Sequence, residues 1–150
     1  MVSRPPSRAA LGALALALVL PPCLAKAEQS PSYSALLTPL LKGGTDVLGR
    51  PLSYPPGQAT VTAAVVVLAP GQPTGWHTHA VPLFAQVLEG ELTVDYGSKG
   101  KKVFRAGDTV LEAVDWPHNG TNTGTVPVRL LAVYMGSDAA ANATPADGPR

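Results

Sequence analysis

Residues 75–82 read GWHTHAVP and residues 116–122 read WPHNGTN, and all three histidines of the chain fall in these two stretches. In an extended segment, side chains two apart point to one face, so His77 and His79 present two imidazoles to a common point. Two imidazoles about 2.1 Å from one ion, completed by a third from elsewhere in the fold, make a three-nitrogen site with positions left open. His118 is the only other histidine in the sequence. An isolated His-x-His pair is more often a pair of surface side chains. Here the pair follows a turn at residues 71–75, precedes a turn at Glu89-Gly90, and is matched by a histidine at the end of a later strand. That context favours a metal ion.

Outward from the histidines the chain reads as short strands divided by turn residues. Residues 59–69, ATVTAAVVVLA, are rich in β-branched side chains and lie between Pro56-Gly57 and Pro70-Gly71, the pattern of a buried strand. Residues 83–88 and 91–96, parted by Glu89-Gly90, predict a β-hairpin. A turn at 97–100 follows. Residues 102–105 and 109–114 flank a tight reversal at 106–108, and residues 126–135 make a last long strand with Pro127 near its start. Six or seven strands at short intervals, with no helix between them, predict an all-β single domain, closed or sandwiched and antiparallel. Residues 28–56 form a polar, proline-punctuated lead-in with at most one helical turn, at 33–41. Residues 137–150 carry too little apolar material to pack and are expected to be disordered.

These residues together resemble the cupins. The family's first motif is a glycine, five residues, His-x-His, three or four residues, a glutamate, six residues and a glycine; Gly71, His77, His79 and Gly90 fall in register. The glutamate place holds Leu83, or Phe84 with the longer spacing. The second motif is a glycine, five residues, Pro-x-Gly, two residues, a histidine, three residues and an asparagine. Gly107, His118 and Asn122 match it, while Ala113 and Asp115 replace the proline and glycine. The stretch VLEGELTV at 87–94 is similar to the family's hairpin. The resemblance covers residues 57–136 and implies a cupin-type β-barrel, that is, a double-stranded β-helix or jelly roll. It implies one divalent ion, Fe, Mn, Ni or Zn, on His77, His79 and His118, without the carboxylate that the family's glutamate adds.

Glu112, on the strand leading to His118, and Gln86 are the candidates for a substitute oxygen donor. Trp76 and Trp116 each precede a histidine by one or two residues, and either line the barrel mouth or plug its end as packing. Leu83 and Phe84, with Val87 and Val110, are expected on an apolar pocket wall. Asn122, like Asn119, either orients His118 or caps the turn. No further catalytic group stands out. A Ser-His-Asp set would spend a ligand histidine, which disfavours acyl-enzyme hydrolysis.

Composition bounds the remaining classes. Hydrophobic residues make up 45% of the 150, enough for one core and one domain. Arg4 and Arg8, an apolar run at 9–20, the breakers Pro21 and Pro22, and small residues at Ala25 and Ala27 follow the secretory pattern, with cleavage expected after Ala27. The apolar run is about a dozen residues, short of the roughly 20 that a spanning helix needs. Taking Arg4, Arg8 and Lys26 from the eleven basic side chains leaves eight against ten acidic, near −2, with no basic stripe for nucleic acid. The single cysteine, Cys23, leaves with the signal and follows Pro22 rather than the small residue that lipid attachment needs. The mature protein then has neither disulfide nor thiolate ligand. The expected protein is periplasmic or secreted, free of stable membrane insertion, and a homodimer that takes a small-molecule ligand. It is read either as a mononuclear metal-dependent enzyme of dioxygenase, isomerase or lyase type, or as a non-catalytic periplasmic barrel that binds or senses a small molecule or metal.

Overall fold

Glycines with positive φ mark where the chain changes direction, and the strands between them set which sheet each side chain faces. The computed structural model describes residue 30 and residues 32–148. The expected export signal lies outside the described residues. From Thr38 onward the chain forms one compact unit; the described part of the unit before it holds a 3-10 helix, Tyr33–Leu36, with no buried side chain.

Among the described residues nine strands follow: β1 Ala59–Leu68, β2 His77–Thr78, β3 Leu83–Glu89, β4 Glu91–Asp95, β5 Lys101–Arg105, β6 Thr109–Leu111, β7 Asn119–Asn122, β8 Val128–Ser137 and β9 Thr144–Pro145. Their sheets run β1-β8-β3-β6, β5-β4-β7 and β2-β9, with every ladder antiparallel. The expected all-β barrel is present. Among the described residues no helix is long and apolar enough to cross a membrane.

The connection at Glu89-Gly90 is not the predicted hairpin. β3 pairs with β6 and β8, whereas β4 pairs with β5 and β7, so the turn is a corner that carries the chain from one sheet to the other. The ladder slips between Val87 and Glu89, and Gly90 takes φ +84°, where a Cβ would lie 2.8 Å from the Pro127 carbonyl oxygen. Only glycine permits both the turn and that approach. The reversal at 106–108 is a second such corner, since β5 and β6 belong to different sheets. Backbone bonds between Gly107 and Val87, and between Val87 and Asp108, pin it.

On β3 the inward side chains Leu83, Ala85 and Val87 are buried. Burial of each large aliphatic contributes about 1.5–3 kcal/mol. Leu92 and Val94 of β4 pack with Leu68, Tyr96, Ala113 and Val128 in the main core cluster.

Three expectations change. The 59–69 run does form a strand, but an edge one: among the described residues β8 is its sole partner, and Val61 is 71% exposed. β7 was not foreseen, because NGTN reads as turn residues; its backbone nevertheless pairs with β4 across four positions. The described residues 138–148 fold back rather than lying free, and β9 pairs His77 with Pro145 and Thr78 with Thr144.

Candidate metal centre

Isolated β-bridges bring the histidines together. His77 and His118 sit opposite one another, each donating its backbone N–H to the other's carbonyl at 3.0 Å. His79 bridges to Val114, and Asp115 N–H donates to the His79 carbonyl at 2.8 Å. Asp115 adopts φ +49° at the place where the cupin motif has glycine. Aspartate tolerates that left-handed conformation better than most residues, so the motif's geometry survives the replacement.

The ring centroids lie 4.8 Å apart for His77 and His79, 4.4 Å for His77 and His118, and 5.0 Å for His79 and His118. One ligand atom from each falls within 4.8 Å of the other two. Each Nδ1 donates to a carbonyl: His77 to Gly75 at 2.9 Å, His79 to Asn142 at 2.8 Å and His118 to Trp116 at 2.8 Å. A carbonyl only accepts, so Nδ1 carries the proton in all three and Nε2 keeps its lone pair. Burial pushes the pKa of His77 and His118 below the usual imidazole range, and that of His79 to about 4. Three neutral imidazoles with fixed tautomers and free Nε2 atoms fit a divalent ion as donor set.

Beneath the histidines a cavity of about 70 Å³ opens between the two large sheets. Leu83, Val87, Val110, Leu130 and Phe104 make much of its wall. Leu83, Val87 and Val110 stand where the sequence put them. Phe84 and Gln86 do not: the period of two that turns Leu83, Ala85 and Val87 inward turns them away, and neither lines the cavity. Gln86 is therefore not an extra ligand.

Glu112 does face the cavity but stands outside the histidine cluster. It is nine-tenths buried, and its Oε1 accepts from Tyr96 Oη–H at 2.8 Å and from Ala113 N–H at 2.7 Å. Burial raises its pKa despite those two bonds and the neighbouring His77. Tyr96 is completely buried, and burial together with Glu112 pushes its phenol pKa far up.

The tryptophans are not on the cavity wall. Trp76 and Trp116 line a separate surface groove with Pro117 and Asp147. Trp116 packs against the core cluster and donates Nε1–H to the Tyr96 carbonyl at 2.9 Å. Asn122 is likewise absent from the pocket. Its Nδ2 donates to the carbonyls of Leu68 and Val126, and its Oδ1 accepts from Gly124 N–H, so it ties the end of β1 to the turn before β8.

Sequence reasoning missed Tyr96, Phe104 and Tyr134. Tyr134 lines the cavity with its ring 5.5 Å from His79, and burial raises its pKa. The period of two along β8, from Leu130 through Ala132 to Tyr134, was the available signal.

Residues 64–134 match the family model described as "Cupin domain". No curated protein matches the sequence significantly. Among solved structures, an uncharacterized conserved protein with a double-stranded β-helix domain from Klebsiella pneumoniae is 20% identical, with 81% of this chain and 99% of that one covered and a TM-score of 0.50. The formate complex of oxalate decarboxylase from Lactobacillus farciminis is 22% identical, with 57% and 26% covered and a TM-score of 0.50. A DMSP lyase structure is 21% identical, with 58% and 44% covered and a TM-score of 0.51. The chain thus spans about a quarter of the decarboxylase and under half of the lyase. At these identities the likeness is one of fold.

Proposed function

Residues 64–134 of this chain are a cupin domain, and from that premise we propose that the protein binds one divalent metal ion through His77, His79 and His118 and acts on a small organic molecule held in the cavity below them. The observation that carries the reading is the shared tautomer: three Nδ1–H groups fixed by carbonyls leave three Nε2 atoms for one ion. A bound Fe, Mn, Ni or Zn ion supplies Lewis acidity to a substrate oxygen. The largely aliphatic wall favours an apolar body of only a few heavy atoms. Glu112, braced by Tyr96, offers the cavity a hydrogen-bonding carboxyl group on that wall. Oxygenation, isomerisation and lyase chemistry all suit such a site.

The test is metal content followed by turnover. The protein is exposed separately to Fe(II), Mn(II), Ni(II) and Zn(II), freed of loose metal and analysed. Near one equivalent of at least one metal is expected, and background content with all four ends the proposal. Oxygen uptake and product analysis with small phenols, thiols and diketones then test catalysis. The position of Glu112 outside the ligand cluster favours one second reading, a barrel that binds or senses its ligand without turning it over; stoichiometric metal without turnover supports it.

Glu112→Gln is a separate prediction. The amide keeps an oxygen for Tyr96 and Ala113, so folding stability at pH 5 should change by less than about 1 kcal/mol. Because burial raises the folded pKa of Glu112, the wild-type acid destabilises the fold as pH rises through that value, and the Gln variant does not. Urea unfolding of the metal-free proteins from pH 5 to 9 should show the variant gaining relative stability toward high pH. A constant difference across that range would contradict the prediction.

The reading includes export and self-association. The order of basic, apolar and small residues over 1–27 follows the pattern of a cleaved signal, which supports a place in the periplasm or outside the cell. A second copy would cover the edge strand β1, whose Val61, Val65 and Val67 are exposed side by side along one face. Val61→Lys with Val65→Lys is expected to convert a dimer to a monomer in size-exclusion chromatography with light scattering. A wild-type chain that is already monomeric at tens of micromolar removes this part.

A further inference from the structure

His79 differs from its partners in what fixes its ring. His77 and His118 donate to carbonyls two residues upstream, Gly75 and Trp116, so their rings are set by their own loops. His79 donates instead to the carbonyl of Asn142, in the segment that follows β8. That segment is held to the barrel at successive points. Asn142 Nδ2 donates to Thr62 Oγ1 on β1 at 3.0 Å. β9 pairs with β2, which contains His77. Ala146 N–H donates to the Trp76 carbonyl at 3.0 Å, and Gly148 lies so close to the Trp76 indole that a Cβ there would fall 2.8 Å from Nε1.

We propose that the C-terminal segment 141–148 is a working part of the metal centre, with the Asn142 carbonyl as a positioning group that sets the tautomer and orientation of His79. This rests on the metal-binding reading above. Without that carbonyl the His79 ring loses the partner that keeps its proton on Nδ1, and both its tautomer and its χ2 angle become free. One of the three donors is then prepared only part of the time. Loss of an outer partner to a ligating histidine typically weakens metal affinity 10–100-fold. The coupling is reciprocal: whatever factor the docked segment adds to metal affinity, bound metal adds to docking of the segment. The segment has few large apolar side chains and holds by backbone bonds, one amide and the contact on Trp76, so its docking is weak enough for such coupling to be measurable.

Three proteins test it: the full chain, a chain truncated after Ala140, and Thr62→Val, which cuts the Asn142 tie and leaves every residue of the segment in place. In the metal-free state, the His79 Nδ1–H is read by nitrogen-15 NMR of the imidazoles. The full chain should show three Nδ1–H tautomers. Truncation should abolish that of His79 alone, and Thr62→Val should leave it faster exchanging. Zn(II) titration should then show affinity reduced 10–100-fold by truncation and by a smaller factor in Thr62→Val. Zn(II) should also slow proteolysis within residues 141–148 of the full chain. An unchanged His79 tautomer together with unchanged Zn(II) affinity in both variants overturns the inference. Should truncation unfold the barrel, Thr62→Val decides alone. Absence of Zn(II) binding by the full chain counts against the metal reading, while the imidazole spectra still decide whether the segment sets His79.

Discussion

Replacing His77 and His79 together by alanine is expected to lower divalent metal affinity by about 10³-fold or more. Four-ligand structural zinc sites are worth roughly 10–16 kcal/mol, so two nitrogens out of three account for on the order of 5 kcal/mol. Isothermal titration with Zn(II) checks this, and an affinity within tenfold of wild type would mean that the ion sits elsewhere. The same variant should change acid stability. Burial keeps all three imidazoles neutral in the fold, with His79 titrating at about 4 against 6.5 for an unperturbed ring. A depressed folded pKa means that the unfolded chain takes up protons first. The stability gained from keeping these groups neutral is present above pH 6.5 and is lost progressively as pH falls through about 4. Metal-free wild type should therefore lose stability over this window more steeply than the double variant, which retains only His118. Parallel slopes in denaturant unfolding between pH 7 and 4 would show that the buried rings are not the groups that titrate.

What could be read from the sequence followed from local geometry. The His-x-His pair was legible because side chains of extended backbone repeat every two residues, and Leu83 and Val87 fell on the right wall for the same reason. Phe84 and Gln86 were misplaced because the phase of that alternation depends on which face of β3 meets β4 and β5, a fact set by the other sheet. Turn residues showed where the chain bends at Glu89-Gly90 but not which strands pair afterwards, so a corner between sheets was read as a hairpin. The run at 59–69 has the composition of a central strand, and nothing local distinguishes a central strand from an edge that awaits a partner. β7 and the C-terminal segment escaped notice for a common reason: both are held by backbone bonds, which leave no mark on side-chain composition. Tyr96 and Glu112 meet through their side chains across 16 positions, and pairs of that kind follow from the fold rather than precede it.

Asp46 is the least conspicuous of these long-range residues and should be among the costliest to remove. It lies in the lead-in, where no local pattern hints at a role, yet its side chain is 1% exposed. Oδ1 accepts from Leu48 N–H and Arg50 N–H at 2.9 Å; Oδ2 accepts from Arg50 Nε at 3.0 Å, Arg50 Nη2 at 2.8 Å and Val114 N–H at 3.3 Å. Arg50 Nη2 also donates to the Val114 carbonyl. Val114 is the residue that bridges to His79, so this carboxylate holds the lead-in loop to the segment between Glu112 and His118. Removing one partner of a buried ion pair costs about 3–5 kcal/mol. Arg50 is 38% exposed and can rehydrate, so Asp46→Ala is expected to cost about 2–4 kcal/mol. Burial alone would raise the Asp46 pKa, but the bonds from Arg50, Val114 and Leu48 together hold it below 3.8. A lowered carboxylate contributes stability that is present above the unfolded value and lost as pH falls through the folded one. The gap between wild type and Asp46→Asn should therefore be widest near neutrality and narrow below pH 3.8. Zn(II) affinity should fall along with stability, because the loop that loses Asp46 is the one that carries His118 and meets His79. Denaturant unfolding with parallel Zn(II) titration checks both effects: a cost under 1 kcal/mol would show that Arg50 alone holds the loop, and unchanged affinity would show that the centre is set without the lead-in.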